Sequence, residues 1–166
     1  MELKIKCFSE LSAREVYHLM QARSEVFFLE QHITVEDADE VDFDAVHLWL
    51  EEAGEVVGLL RILPPVVTDD GAPSIGRVLV RQFWRRQGLC RQLMHEAIAY
   101  IRAHWPGQDI HISAQRYLVD FYRELGFEIT SEVFLEAVIE HQIMRYGRGK
   151  RKEERGKRKE KREKWR

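Results

Sequence analysis

The apolar positions change period several times along this chain, and each change marks an element. Residues 12–29, SAREVYHLMQARSEVFFL, place Val16, Leu19, Met20, Val26 and Phe27 at roughly helical spacing. Ser12 followed by Glu15 is a capping-box pair, so a helix is predicted from about 12 to 29, with a break near Ser24. EDADEVDFDA, residues 36–45, is too acidic for a core and reads as a loop. HLWLEEAGEVVGLLRILPP, residues 47–65, is two β-rich runs around a glycine-containing turn, which predicts a hairpin. PPVVTDDGAP follows as a loop with several breakers, and SIGRVLVRQ, residues 74–82, as a central strand.

From Gly88 the period becomes helical, with Leu89, Leu93, Met94, Ala97, Ile98 and Ile101 on one face. HWPGQD ends that helix, IHISAQ (110–115) is a short strand, and YLVDFYREL (117–125) is a helix stopped by Gly126. FEITSEVFLEAVIEHQIM, residues 127–144, closes the pattern as one or two further strands. The order predicts an α/β fold: a mixed central sheet flanked by helices, with a β-α-β-α-β segment in the middle of the chain.

Charge divides the chain. Residues 145–166 carry 13 Lys/Arg against 4 Asp/Glu, a net of +9, while residues 1–144 carry 13 against 24, a net of −11. The expected organisation is one domain over 1–146 and a basic tail over 147–166, disordered or partly helical. The tail allows weak contact with a nucleic acid or another anionic surface. No apolar run reaches the length of a membrane span, and MELKIKCFSE lacks the apolar stretch of a secretory signal. With only Cys7 and Cys90, no disulfide framework is expected and a reducing cytoplasm is the default compartment.

The densest candidate chemistry lies in RRQGLC, residues 85–90. A strand that runs through a glycine turn into a helix leaves backbone N–H groups unpaired at the positive end of the helix dipole, which favours an anion. Gly88 keeps a Cβ out of the anion's approach, and Arg81, Arg85, Arg86 and Arg91 supply guanidinium donors suited to phosphate oxygens. Neither GxxxxGK[ST] nor GxGxxG is present, which argues against nucleotide hydrolysis and hydride transfer.

RRQGLC resembles the [QR]-x-x-G-x-[GA] pyrophosphate loop of the GCN5-related N-acetyltransferases (GNAT), with Cys90 in place of the last Gly or Ala. FYRELGF, residues 121–127, is similar to the aromatic-Tyr-x-x-x-Gly-Phe segment of that family. RSEVFFLEQ, HLWL, LLRILPP, SIGRVLV, ISAQ and the Glu136–Met144 run E-x-x-I-x-H-x-x-M follow the order of its ElaA-like branch. The branch's closing EDGIPH reads EAVIEH here, with Ala137, Val138 and Glu140 replacing Asp, Gly and Pro.

The resemblance implies acetyl-CoA as co-substrate, no metal, and direct transfer of acetyl to an amine in a ternary complex. It implies a cofactor site at Leu79, Val80, Arg85, Arg86, Gln87, Gly88, Leu89, Cys90, Arg91, Gln115 and Tyr122. Tyr122 is the implied general acid toward the CoA thiolate, and a backbone N–H between Arg77 and Val80 the implied oxyanion donor. For the base three residues stay open: Glu30, whose place at the end of an apolar helix face suggests partial burial, His47 and His111. Glu30, His47, Glu136 and His141 are expected on the acceptor side. An acidic body favours a cationic acceptor, a small-molecule or peptide amine, and the five carboxylates from Asp37 to Asp44 are candidates to steer it. Two other readings stay open, a non-catalytic acyl-CoA-binding module and a nucleic-acid adaptor acting through the tail. A homodimer is also open.

Overall fold

The computed structural model describes residues 1–147. Its elements are β1 (Glu2–Cys7), α1 (Ala13–Arg23), β2 (Val46–Glu52), β3 (Glu55–Leu63), β4 (Ser74–Val80), α2 (Leu89–His104), β5 (Ile110–Gln115), α3 (Val119–Leu125), β6 (Glu128–Ile129), β7 (Phe134–Glu136) and β8 (Ile139–Tyr146). The strands form one mixed sheet in the order β1-β2-β3-β4-β5-β8-β6, with β7 also paired to β8. Every described pairing is antiparallel except β4 with β5. The basic tail expected over 147–166 lies outside the described residues, Gly147 apart. Among the described residues no helix is long and apolar enough to cross a membrane.

Two apolar clusters occupy opposite faces of the sheet. α1 and the helical segment that continues it, Ser24–Glu30, cover Trp49, Leu59 and Leu79 with Leu19, Ala22, Val26 and Phe27. α2 and α3 cover Leu48, Leu60, Ile62, Ile75, Ile112 and Met144 with the predicted Leu89–Ile101 stripe and with Val119, Tyr122 and Leu125. The Ser12 capping box is formed, its hydroxyl accepting from the Glu15 amide while Glu15 accepts from the Ser12 amide. At Ser24 the helix widens into a π-helical segment, Ser24–Glu30, where the sequence suggests a break.

Two regions depart from the sequence reading. β1 was not predicted, although Leu3, Ile5 and Cys7 alternate with Lys4 and Lys6. It is an edge strand whose lysines pair outward with Glu51 and Glu15, a common way to guard an open edge. The closing segment makes three strands instead of one or two, because β8 pairs with β7 along its first half and with β6 along its second.

The β7–β8 hairpin turns through Ala137 and Val138, both at positive φ (48° and 61°). Two such residues make the turn that favours Asn-Gly or Asp-Gly, and a β-branched residue there is strained. The paired substitution Ala137→Asn and Val138→Gly should raise stability by about 1–2 kcal/mol. Urea unfolding reads this directly, and an unmoved midpoint counts against strain in the turn.

Candidate active site

The parallel strands β4 and β5 share only two ladder pairs, Ser74 with His111 and Ile75 with Ile112. Beyond Ile75 they part, so the β5-facing backbone of β4 from Gly76 to Val80 is left without a ladder partner at a gap in the sheet. A bulge sits where the strands separate. Arg77 has φ of 54°, and the β3–β4 register shifts between Leu59 and Arg61. The extra residue reverses the alternation: Ile75 joins the core under α2, while Leu79 joins the core under α1.

Past the open end of β4 the chain reaches the α2 start. Gly88 adopts φ 77°, ψ 9°, and among the described residues no side chain caps the helix. The first-turn amides therefore have no capping partner. Among the described residues a Cβ built on Gly88 would meet nothing within 4 Å beyond its chain neighbours, so the turn leading into these amides is open. Such a cradle suits a pyrophosphate.

The arginines divide by partner. Arg81 is turned into ion pairs with Glu25 and Glu55, which removes it from the expected set of phosphate clamps. Arg85 donates from Nε to the Val80 carbonyl (2.8 Å) and grips Glu30 with both ends of its fork. Arg91 pairs with Glu124 at 2.7 Å and lies over the Phe121 ring. Arg86 and Gln87 are exposed beside Gly88.

Tyr122, only 4% exposed, lies in the core beneath α2. Burial pushes its phenol well above the ordinary range, with nearby Cys90 and Tyr117 adding to the shift. It therefore stays protonated at neutral pH. Burial also pushes the Cys90 thiol up to about 11, so this cysteine behaves as a small apolar residue and not as a nucleophile.

The opposite face of the gap is polar. Gln115 ends β5 and donates to Gln31, the residue just after the π-helical segment, at 3.1 Å. Across the strand pair Gln115 faces His141 on β8. Ser113 donates to Glu136 at 2.7 Å, and Arg116 pairs with Glu140. The structure thus brings Gln115, Glu136 and His141 together, and Glu30 onto the same side through Arg85. Gln31 was not anticipated, since a neutral amide after an apolar helix carries no sequence signal.

Four expectations need correction. Glu30 is exposed, so the burial proposed to tune it is absent. His47 is buried two strands away from the gap, where its Nε2–H donates to the Asp42 carbonyl (2.9 Å), and burial pushes its imidazole below the ordinary range. His111 lies at the closed end of the β4–β5 pair, against Asp70, and not at the opening. The acidic loop is exposed along most of its length, but three of its five carboxylates are not free to steer a cation. Its Asp37, Asp39 and Asp42 are paired with Arg23, Arg61 and Arg77 in a network that ties the loop to the β4 bulge.

The acetyltransferase (GNAT) domain family matches residues 6–147. ElaA of Escherichia coli K12 is 36% identical over 136 residues, covering 80% of this chain and 88% of ElaA. A UPF0039 protein of Schizosaccharomyces pombe is 32% identical over 147 residues, covering 87% of this chain and 96% of its own. The crystal structure of an acyl-CoA N-acyltransferase from Pseudomonas aeruginosa superimposes with a TM-score of 0.84 at 35% identity, covering 88% of this chain and 99% of that one. The chain therefore belongs to the GNAT acetyltransferase family, and its fold implies an acyl-CoA site.

Proposed function

We propose that this protein is an acetyl-CoA-dependent N-acetyltransferase that acetylates a primary amine by direct attack in a ternary complex. The observation that carries the reading is the coincidence, at one end of the sheet, of the parted β4–β5 strands and the uncapped α2 start. The first-turn amides of α2, opened by Gly88, hold the pyrophosphate, with Arg86 and Gln87 beside them. The backbone of β4 between Arg77 and Val80 holds the pantetheine arm and offers an N–H to the developing oxyanion. Acetyl-CoA, when bound, supplies the thioester. Tyr122, in the core under α2 and α3, gives a proton to the departing sulfur on this reading. The acceptor enters from the α1 face, past Gln31, Gln115 and Glu136.

The acceptor is a cationic amine on this reading, because the body is acidic and Glu136 is an exposed carboxylate on the entry face. The test is thiol release from acetyl-CoA with spermidine, kanamycin and a lysine-containing peptide, run beside Tyr122→Phe. Turnover with at least one amine is expected, and Tyr122→Phe should lower kcat by on the order of 10²-fold while the Kd for CoA stays put. Tight CoA binding with no thiol release from any amine would replace this reading by that of a binding module.

A further inference from the structure

We propose that His141, oriented by the Ile139 carbonyl and backed by Glu136, is the general base that deprotonates the acceptor amine, in place of Glu30. The inference rests on the N-acetyltransferase reading and assigns a role that the reading leaves open.

Three observations carry it. First, the His141 ring fixes its own tautomer. Nδ1 lies 2.8 Å from the backbone carbonyl of Ile139, and a carbonyl only accepts, so Nδ1 carries the hydrogen and Nε2 the lone pair. Second, that lone pair is available. The Glu136 carboxylate is 3.9 Å from Nε2, beyond hydrogen-bond range yet close enough to stabilise an imidazolium. Glu136 is itself held by the Ser113 hydroxyl, and its side chain is about half exposed, which leaves the proton a route to solvent. Third, the ring is on the correct face. His141 lies opposite Gln115, whose side chain meets Gln31 on the acceptor side of the gap, whereas Tyr122 sits on the other face. Base and acid thus stand on opposite faces of the sheet.

The residues of β5 and β7 that face the ring are uncharged. Its side chain is only 9% exposed, Phe134 of β7 stacks on it, and Gln115 and Ser113 of β5 are neutral. Glu140, its neighbour on β8, is neutralised by Arg116. Glu30 lacks comparable freedom, because Arg85 occupies both of its oxygens.

The step balances as follows. Nε2 takes one proton from the ammonium, and the freed lone pair attacks the thioester carbon. The C–N bond forms and the C–S bond breaks. The thiolate takes a proton from Tyr122, which regains one as the new amide nitrogen sheds its second proton. The proton on His141 leaves to water past Glu136, so one proton is released per turnover.

The experiment measures acetyl-CoA Kd by calorimetry and the pH dependence of kcat/KM with the fastest of spermidine, kanamycin and the lysine peptide. His141→Gln should lower kcat by on the order of 10²-fold or more, leave the acetyl-CoA Kd unchanged, and erase the fall in kcat/KM on the acid side. Glu136→Gln should also lower kcat, by a smaller factor than His141→Gln, with the acetyl-CoA Kd unchanged, since the ring loses the carboxylate beside it. His141→Gln with native turnover and an intact acid limb overturns the assignment. Should His141→Gln lose acetyl-CoA binding through misfolding, the exposed Glu136→Gln decides, and native kcat in that variant overturns the assignment equally. A native protein that binds acetyl-CoA but acetylates none of the amines fails the N-acetyltransferase reading instead.

Discussion

Gly88→Val is expected to abolish acetyl-CoA binding, weakening it by more than about 100-fold, in a protein that still folds. Gly88 holds φ 77° at the last position before α2. A left-handed conformation costs an ordinary residue roughly 1–2 kcal/mol, and a β-branched one more. Valine would relieve that cost by swinging φ negative, which turns the first α2 amides away from the anion they are placed to receive. If the backbone held, two methyl groups would instead project into the space beside Gly88, which the described residues leave open to a Cβ. Either route removes the pyrophosphate cradle, and about 2.7 kcal/mol suffices for the stated loss. Gly88→Asn separates them, because asparagine tolerates this conformation. Binding by the asparagine variant within tenfold of native assigns the loss to backbone geometry. An asparagine variant as weak as the valine one assigns it to blocked approach. Native calorimetric affinity in a folded Gly88→Val protein would remove the α2 start from the site.

What could be read from the chain was local or periodic. The α2 stripe from Leu89 to Ile101 is buried as its spacing predicts, because one helix face meets one sheet face. The Ser12 cap, the stop of α3 at Gly126 and the glycine entry into α2 each depend on a few adjacent residues. The parting of β4 and β5 is different in kind. It depends on where two strands 30 or more residues apart stop pairing, and on a bulge at Arg77 that no residue type announces. The pairing of the acidic loop is long-range for a related reason. Seen alone, EDADEVDFDA is a run of repelling carboxylates, and only the fold brings Arg23, Arg61 and Arg77 against it from α1, β3 and β4. His141 lay inside a recognisable motif, but its tautomer and its distance to Glu136 come from a hairpin that the altered EAVIEH turn still closes.

The same network underlies the largest stability change. Asp42→Ala should destabilise the fold by about 3–5 kcal/mol, because it leaves two buried guanidinium groups without their shared partner. Asp42 is 5% exposed, and its Oδ1 accepts from Arg23 at 2.9 Å and from Arg61 at 2.7 Å. Those arginines are themselves 2% and 5% exposed, so water cannot replace the carboxylate. In a chain of this size the loss corresponds to a fall in Tm on the order of 10 °C. The pH dependence follows from the same contacts. Burial pushes the Asp42 carboxyl up, but hydrogen bonds and charge from Arg23 and Arg61 more than offset it, and the group ends below its ordinary value. Asp39 is held down chiefly by its hydrogen bond to Arg61. A carboxylate depressed by folding contributes stability that is present above its unfolded pKa, about 3.9, and is lost as pH falls through the folded value. Native protein should therefore keep this contribution at neutral pH and lose it only in strong acid, whereas Asp42→Ala lacks it throughout and its stability profile below pH 4 is flatter. Calorimetric scans of both proteins across that range measure the difference, and a Tm within 2 °C of native at pH 7 would show that the network is dispensable to the fold. Because Arg77 reaches into this network from the β4 bulge, through Asp37 at 2.6 Å, loosening it should also lower turnover. Asp37→Asn tests that coupling from a more exposed position: Arg23 keeps Asp42, Tm falls less, and kcat drops with the acetyl-CoA Kd unchanged if the network's task is to hold the bulge for catalysis.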